Sequence, residues 1–274
     1  EITRRRKHMK TVLITGASSG IGEAFAYKLS AEGVEQLFLC GTNLERLEAV
    51  RGRCLSLGAK AVAIKQLDVR DRTAVAEWVV ACNDERALDL VYANAGVATG
   101  AEYESENVFR TFDINVGGVI NTVLPAIECF MARAERDPAT GFKGQIAITA
   151  SIAGYHGLPQ CPSYSASKSC VKAWGAGLRG MLSRQGIAVS VICPGFVRSR
   201  ITDVNTCPMP FFMEADKAAT KIYNGLKRNK GLISFPWQMR LVSWFMGALP
   251  DCVSGWIYAR LPEKNDTTKA LHNL

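Results

Sequence analysis

Short, largely apolar runs alternate with longer amphipathic stretches along most of the chain. Apolar runs over 11–14, 37–40, 61–67, 88–92, 145–149 and 187–192 predict strands, and 232–235 predicts a last short one. Helical spacing of apolar positions predicts helices over 23–32, 44–57, 74–82, 116–136, 164–184 and 215–228. Strands that are apolar throughout are buried on both faces. The pattern therefore predicts an α/β protein, a doubly wound parallel sheet with helices on each side. In such folds ligands bind beyond the carboxyl ends of the strands. No linker, repeat or low-complexity tract divides the chain, and 137–141 reads as a local turn. The expected organisation is a leader over 1–9, disordered or extraneous and ending at Met9, one domain over 10–262, and a tail over 263–274.

Composition narrows the function classes. A chain of 274 residues is long enough to bury a sizeable core, and 48% hydrophobic with 21% charged residues suits a globular enzyme. The net charge is +8, from 33 Lys+Arg and 25 Asp+Glu, and part of it lies in Arg4, Arg5, Arg6 and Lys7. The rest is dispersed, which argues against nucleic acid as a partner and suits attraction of phosphate-bearing ligands. The nine cysteines are odd in number, show no CxxC spacing and fall partly in apolar runs such as Leu37-Phe38-Leu39-Cys40. They read as reduced, buried hydrophobes, not as disulfides or metal ligands. No signal-peptide pattern is visible and no apolar run reads as long enough to span a bilayer. A cytoplasmic location is the expectation.

Two local patterns carry chemistry. Thr15-Gly16-Ala17-Ser18-Ser19-Gly20-Ile21-Gly22 lies between the first strand and the first helix. Glycines there let the backbone turn sharply and approach a ligand closely. The helix beyond presents free N–H groups and the positive end of its dipole to a pyrophosphate. The second pattern is Tyr164-Ser165-Ala166-Ser167-Lys168 at the start of a predicted helix. Residues four apart share a helical face, so the phenol and the ammonium point into one cleft. A neighbouring cation lowers the pKa of a tyrosine, which is near 10 when free, toward the range useful for acid/base work.

The TGxxxGxG and YxxxK spacings together resemble the short-chain dehydrogenase/reductase family, in its single-domain branch, from about Lys10 to about Ser234. The resemblance implies a Rossmann-type three-layer sandwich with a seven-stranded, mostly parallel sheet in the order 3-2-1-4-5-6-7. It implies NAD(P)-dependent interconversion of a carbonyl and an alcohol. Tyr164 is then the acid/base, Ser151, thirteen positions earlier, orients the substrate oxygen, Lys168 also binds the nicotinamide ribose, and Asn115 holds a water in a proton relay. By the same resemblance Gly16, Ser18, Ser19, Gly20, Ile21 and Gly22 cradle the pyrophosphate. Asp68 and Val69 meet the adenine, although Asp68 also reads as a turn or cap residue. Asn94, Ala95 and Gly96 steady the sheet and line the cleft, with Ala93 where the family often has a second Asn. Pro194, Gly195, Val197 and Ser199 resemble PGxVxT over the nicotinamide, with Ser199 replacing the usual Thr.

Cofactor choice is read at the end of the second strand, where an acid favours a free ribose 2′-hydroxyl. Gly41-Thr42-Asn43 carries none. Ser18, Thr42 and Asn43 offer hydrogen bonds to a phosphate and Arg46 lies within reach, so the reading leans to NADP over NAD. The segments 153–161 and 201–213 are apolar, which favours an apolar or amphipathic substrate; His156 reads more readily as a solvent-facing loop residue than as a substrate contact. Trp237, Leu241, Trp244, Phe245, Ala248 and Leu249 recur at helical spacing, followed by Trp256, Ile257 and Leu261. That end reads either as an amphipathic helix packed on the core or on another subunit, or as a lid or membrane-surface helix. A homodimer or homotetramer through the helices over 116–136 and 164–184 is implied by the resemblance. Three other readings are a nucleotide-sugar-modifying member of the superfamily, a non-catalytic NAD(P)-binding sensor or scaffold, and a lipid-surface interaction protein, for which only the C-terminal end speaks. The short C-terminal part weighs against the first and the complete Ser/Tyr/Lys set against the second.

Overall fold

The computed structural model describes residues 9–98, 104–138, 140–199, 202, 209–258 and 260. The strands are β1 (Thr11–Thr15), β2 (Gln36–Gly41), β3 (Ala61–Gln66), β4 (Leu90–Ala93), β5 (Gly144–Thr149), β6 (Ile187–Pro194) and β7 (Leu232–Phe235). All pair in parallel, in the order 3-2-1-4-5-6-7. The helices are α1 (Gly20–Ala31), α2 (Leu44–Ser56), α3 (Arg72–Glu85), α4 (Ser105–Phe112), α5 (Gly118–Met131), α6 (Pro162–Ser183), α7 (Ala215–Lys227), α8 (Trp237–Ala248) and α9 (Asp251–Tyr258).

Successive side chains of a strand point to opposite faces. Val12 and Ile14 of β1 join one core with Phe25, Leu29, Leu47, Ile222 and Leu226 from α1, α2 and α7. Leu13, between them, joins the other with Val75, Val79, Val123, Phe130 and Val171 from α3, α5 and α6. Apolar strands are thus explained by two covered faces. The sheet order reverses between β1 and its two neighbours: β1 pairs with β2 on one side and β4 on the other. A crevice opens at that switch, above the strand ends.

Two differences from the sequence reading matter. The long helix predicted over 116–136 is α5, and it stops at Met131. Arg133 beyond it turns inward, donating to the carbonyls of Leu88 and Lys143 and to Asn83 Oδ1, which holds the chain off the helical path. At its other end α5 is continuous with α4 through a π-turn, Asp113–Gly117. The joined helix, Ser105–Met131, has 27 residues, and its most apolar 18-residue stretch has mean hydropathy 1.4; by length and composition alone it could cross a membrane, which the sequence reading does not anticipate. The reason is burial: Val119, Val123, Ala126 and Phe130 are apolar because they pack in the core.

Candidate active site

The glycine turn after β1 is shaped by backbone that only glycine adopts easily. Gly16 and Gly20 have φ of 64° and 62°. A Cβ on Gly16 would stand 2.7 Å from Ala95 Cα, so the turn and the end of β4 touch. Gly22 serves packing rather than the cleft: its Cβ would lie 2.4 Å from the Gly16 carbonyl oxygen. Ala17 N–H donates to the Cys40 carbonyl, strapping the turn to β2. Asn94 Nδ2 donates to the carbonyls of Thr15 and Gly16, and Thr15 Oγ1 accepts from Asn94 and Ala95 N–H. Ser19 is the N-cap of α1 and makes no side-chain cap bond, which leaves its hydroxyl at the mouth of the helix.

These residues open onto a cleft of about 650 Å³. Gly16, Ser18, Ser19, Gly20 and Ile21 line one part, with Thr42, Asp68 and Val69 beside them. Asn94, Ala95 and Gly96 form its floor, and Pro194, Gly195, Val197 and Ser199 its far wall. Ser151, Tyr164 and Lys168 face the same space. Asn43 does not line it. Its side-chain oxygen accepts from Arg46 N–H at 2.8 Å and caps α2. The Asp68 carboxylate is paired with Arg70, Oδ2 to Nη2 at 2.6 Å, which holds it below its ordinary range. The helix cap in this region is Asp71, not Asp68.

Among the lining residues that carry no recognisable signal in the sequence are Arg70, Val97, Arg110, Ile114, Ala150 and Thr202. Arg110 and Ile114 share one helical stretch, but the others come from separate segments and meet them only in the fold. Thr202 Oγ1 accepts from Ser199 N–H at 2.8 Å, which ties the wall together. Arg46 also lines the cleft, and its buried Nε has no hydrogen-bond partner among the described residues.

At the reacting end, α6 starts with Pro162 and places Tyr164 and Lys168 one turn apart. Ser151 lies beside the Tyr164 hydroxyl, close enough to pull its pKa down. Ser151 Oγ accepts from Ala153 N–H at 3.1 Å, at the start of a 3-10 turn over Ile152–Tyr155. Lys168 Nζ donates to the Thr149 carbonyl at 3.1 Å and lies 5.8 Å from the centroid of the Tyr164 ring. Thr149 Oγ1 is in turn hydrogen-bonded to Tyr92 Oη at 2.8 Å. Gly96 makes room: a Cβ there would stand 3.1 Å from both Lys168 Nζ and Asn115 Oδ1.

Burial decides the protonation of the pair. It pushes the Tyr164 phenol up to about 12, against an opposing pull from Ser151, and it brings the Lys168 ammonium down to about 8. The sequence expectation was a phenol lowered by its lysine. In the protein alone the shift is upward, because both groups are desolvated and the ammonium bonds to Thr149. Asn115, in the π-turn, is fully buried and bonded at each amide atom. Oδ1 accepts from Val97 N–H, while Nδ2 donates to the Val97 carbonyl and to Ser167 Oγ. His156 does not line the cleft. Of the predicted substrate segment after Gly195, residues 201 and 203–208 lie outside the described residues.

Comparison with known proteins gives this arrangement its context. Residues 10–207 match the family described as short chain dehydrogenase. The chain belongs to that family. It is an NAD(P)-dependent short-chain dehydrogenase/reductase. An uncharacterized oxidoreductase of Myxococcus xanthus (strain DK1622) is 34% identical over 246 residues, covering 88% of this chain and 93% of its own. The 17-beta-hydroxysteroid dehydrogenase 13 of Mus musculus is 30% identical over 247 residues, covering 86% of this dehydrogenase and 77% of its own length. The fold of this chain matches the crystal structure of a short chain dehydrogenase/reductase from Burkholderia phymatum in complex with NAD, with TM-score 0.77 and 23% identity over 87% of this chain and 92% of that one. The cleft fits such a dinucleotide on its own evidence. Side chains on Gly16, Gly20 and Gly96 would collide with the residues packed around the cleft, and Arg46, whose buried Nε has no hydrogen-bond partner among the described residues, is one of its lining residues.

Proposed function

We propose that this dehydrogenase interconverts a ketone or aldehyde with its alcohol on an apolar or amphipathic substrate, with NADP as the preferred cofactor. The observation that carries the reading is the convergence of Ser151, Tyr164 and Lys168 on one cleft beside the glycine turn. The nicotinamide, when bound, supplies or takes up the hydride at the substrate carbon. Tyr164 Oη gives a proton to the substrate oxygen in reduction and takes one in oxidation. Its raised pKa keeps that proton in place at neutral pH, which suits the reductive direction. Ser151 Oγ donates to the same oxygen as negative charge develops there. Lys168 fixes the Thr149 carbonyl and carries positive charge beneath Gly96, where a ribose hydroxyl would lie.

Support for NADP comes from the adenosine end. No carboxylate stands at the end of β2, and Arg46, Ser18 and Thr42 line the cleft there. A buried guanidinium nitrogen without a partner favours an anionic ligand. Support for an apolar substrate comes from the composition of 153–161 and 201–213 and from the hydroxysteroid named for the mouse relative. A second copy would meet α4, α5 and α6, where Phe109, Leu124, Met131 and Met181 are exposed. A reducing, cytoplasmic setting fits the free cysteines, of which Cys40, Cys54, Cys82 and Cys193 are buried.

The test is consumption of NADPH and NADH with a panel of ketones, aldehydes, sterols and sugars. Faster NADPH oxidation with long-chain or polycyclic carbonyls than with sugars is the expected result. Turnover confined to NADH, or to sugars, would overturn the reading.

A further inference from the structure

We infer that the outward face of α8 and α9 is a docking surface for an anionic phospholipid membrane. The inference does not depend on the hydride chemistry. Helix α8 is mounted with its apolar side outward. Not one of its residues is fully buried. Met239, Ser243 and Met246 face the body, where Met239 and Pro236 both close on Gly195, and Gly247 lies against the Tyr155 carbonyl. Trp237, Leu241, Val242, Trp244 and Phe245 point away and are 56–69% exposed. At 100° per residue these five cover roughly 160° of the helix circumference. An interfacial helix ordinarily turns its polar side to water. Here the protein body takes the place of that side.

The kind of residue identifies the partner. Of the chain's five tryptophans, Trp237 (69% exposed) and Trp244 (60%) stand on the outward side of α8, and Trp256 (60%) is exposed on α9, which follows it directly. Tryptophan concentrates at the boundary between headgroups and acyl chains, where one part of the ring system is apolar and another wet. Charge then separates a membrane from a second copy of the chain. Over 237–250 the only charged residue is Arg240, and Arg260 stacks on Trp256 at 3.8 Å; Asp251 is the one acid in either helix. Two such faces pressed together would oppose arginines with little to neutralise them. A headgroup layer supplies phosphates at the depth where arginines flanking an apolar face come to rest.

The test uses the full chain and vesicles of three parts phosphatidylcholine to one part phosphatidylglycerol. On a density gradient the unaltered protein floats with the vesicles. The triple variant Trp237→Ser, Trp244→Ser, Phe245→Ser floats about tenfold less, while its circular dichroism and NADPH binding stay unchanged. Brominated phosphatidylcholine reads the same contact without any variant, by quenching tryptophan emission in the unaltered chain. Three results would each overturn the inference. One is unaltered protein that stays at the bottom of the gradient and is not quenched. Another is equal flotation of protein and variant. The third is self-association through α8, seen by sedimentation, that shields the tryptophans from iodide without lipid.

Discussion

Lys168 Nζ donates to the backbone carbonyl of Thr149, not to the phenol one turn before it. The ammonium is therefore held by the end of β5 and acts on Tyr164 across space, 5.8 Å from its ring. Both groups are buried, and the cost of burial falls on the charged form of each. A neutral phenol and an ammonium close to losing its proton result.

The pH profile of NADPH-dependent reduction follows from that pair. Lys168 has a folded value of about 8, below its ordinary value, so its charge is present below pH 8 and is lost above it. The phenol keeps its proton through the same range. A plot of kcat/KM against pH should be flat near neutrality and fall about tenfold per pH unit above 8. Lys168→Arg should carry its charge past pH 9 and remove that limb, at reduced overall rate. A limb unchanged in this variant would assign the fall to another group.

Tyr164→Phe removes the proton and leaves the ring. Turnover should drop by about 10²–10⁴-fold, the usual worth of a general acid. NADPH affinity, read by quenching of protein fluorescence, should change less than about threefold. Normal turnover in this variant would detach the phenol from the reaction.

Arg46→Ala should separate the two cofactors. Loss of a charge-assisted hydrogen bond to a phosphate costs about 1.5–3 kcal/mol, or roughly 10–100-fold in NADPH affinity. NADH affinity should stay within about twofold, since its ribose has no phosphate to lose. Equal losses for both would place Arg46 outside 2′-phosphate recognition.

Asn115→Ala deletes three buried hydrogen bonds, two to the Val97 backbone and one to Ser167. Leaving buried donors and acceptors unpaired costs about 1–3 kcal/mol each, with partial relief by relaxation. The melting temperature should fall by roughly 5–10 °C. An unchanged melting temperature with lost activity would shift the residue's role from bracing to proton transfer.

Periodicity makes most of this fold legible. Two covered faces force strands that are mostly apolar on both sides, and seven such runs stand out in the sequence. Helix ends are less legible where a long-range partner decides them, as Arg133 does for α5. The π-turn that buries Asn115 leaves no local mark either, since its reason is the backbone of Val97, eighteen residues away. In the site, spacing reveals Tyr164 and Lys168 because both sit on one helix. Arg70, Arg110 and Thr202 stay hidden, because nothing local distinguishes a cleft arginine from a surface one. Asn43 misleads for a related reason: an amide beside a binding strand and a helix cap look alike until the bond to Arg46 N–H is seen.

The interleaved order of the strands also sets a timetable. β1 is made first yet sits mid-sheet, pairing at once with β2 but waiting for Leu90–Tyr92 of β4 on its other side. A chain emerging from the ribosome thus completes its nucleotide-facing half, β1 to β3, while Ser151, Tyr164 and Gly195 are still unmade. The outermost strand cannot close until Phe235 has been synthesised. A chain released before that point carries a phosphate cradle without a finished wall opposite it.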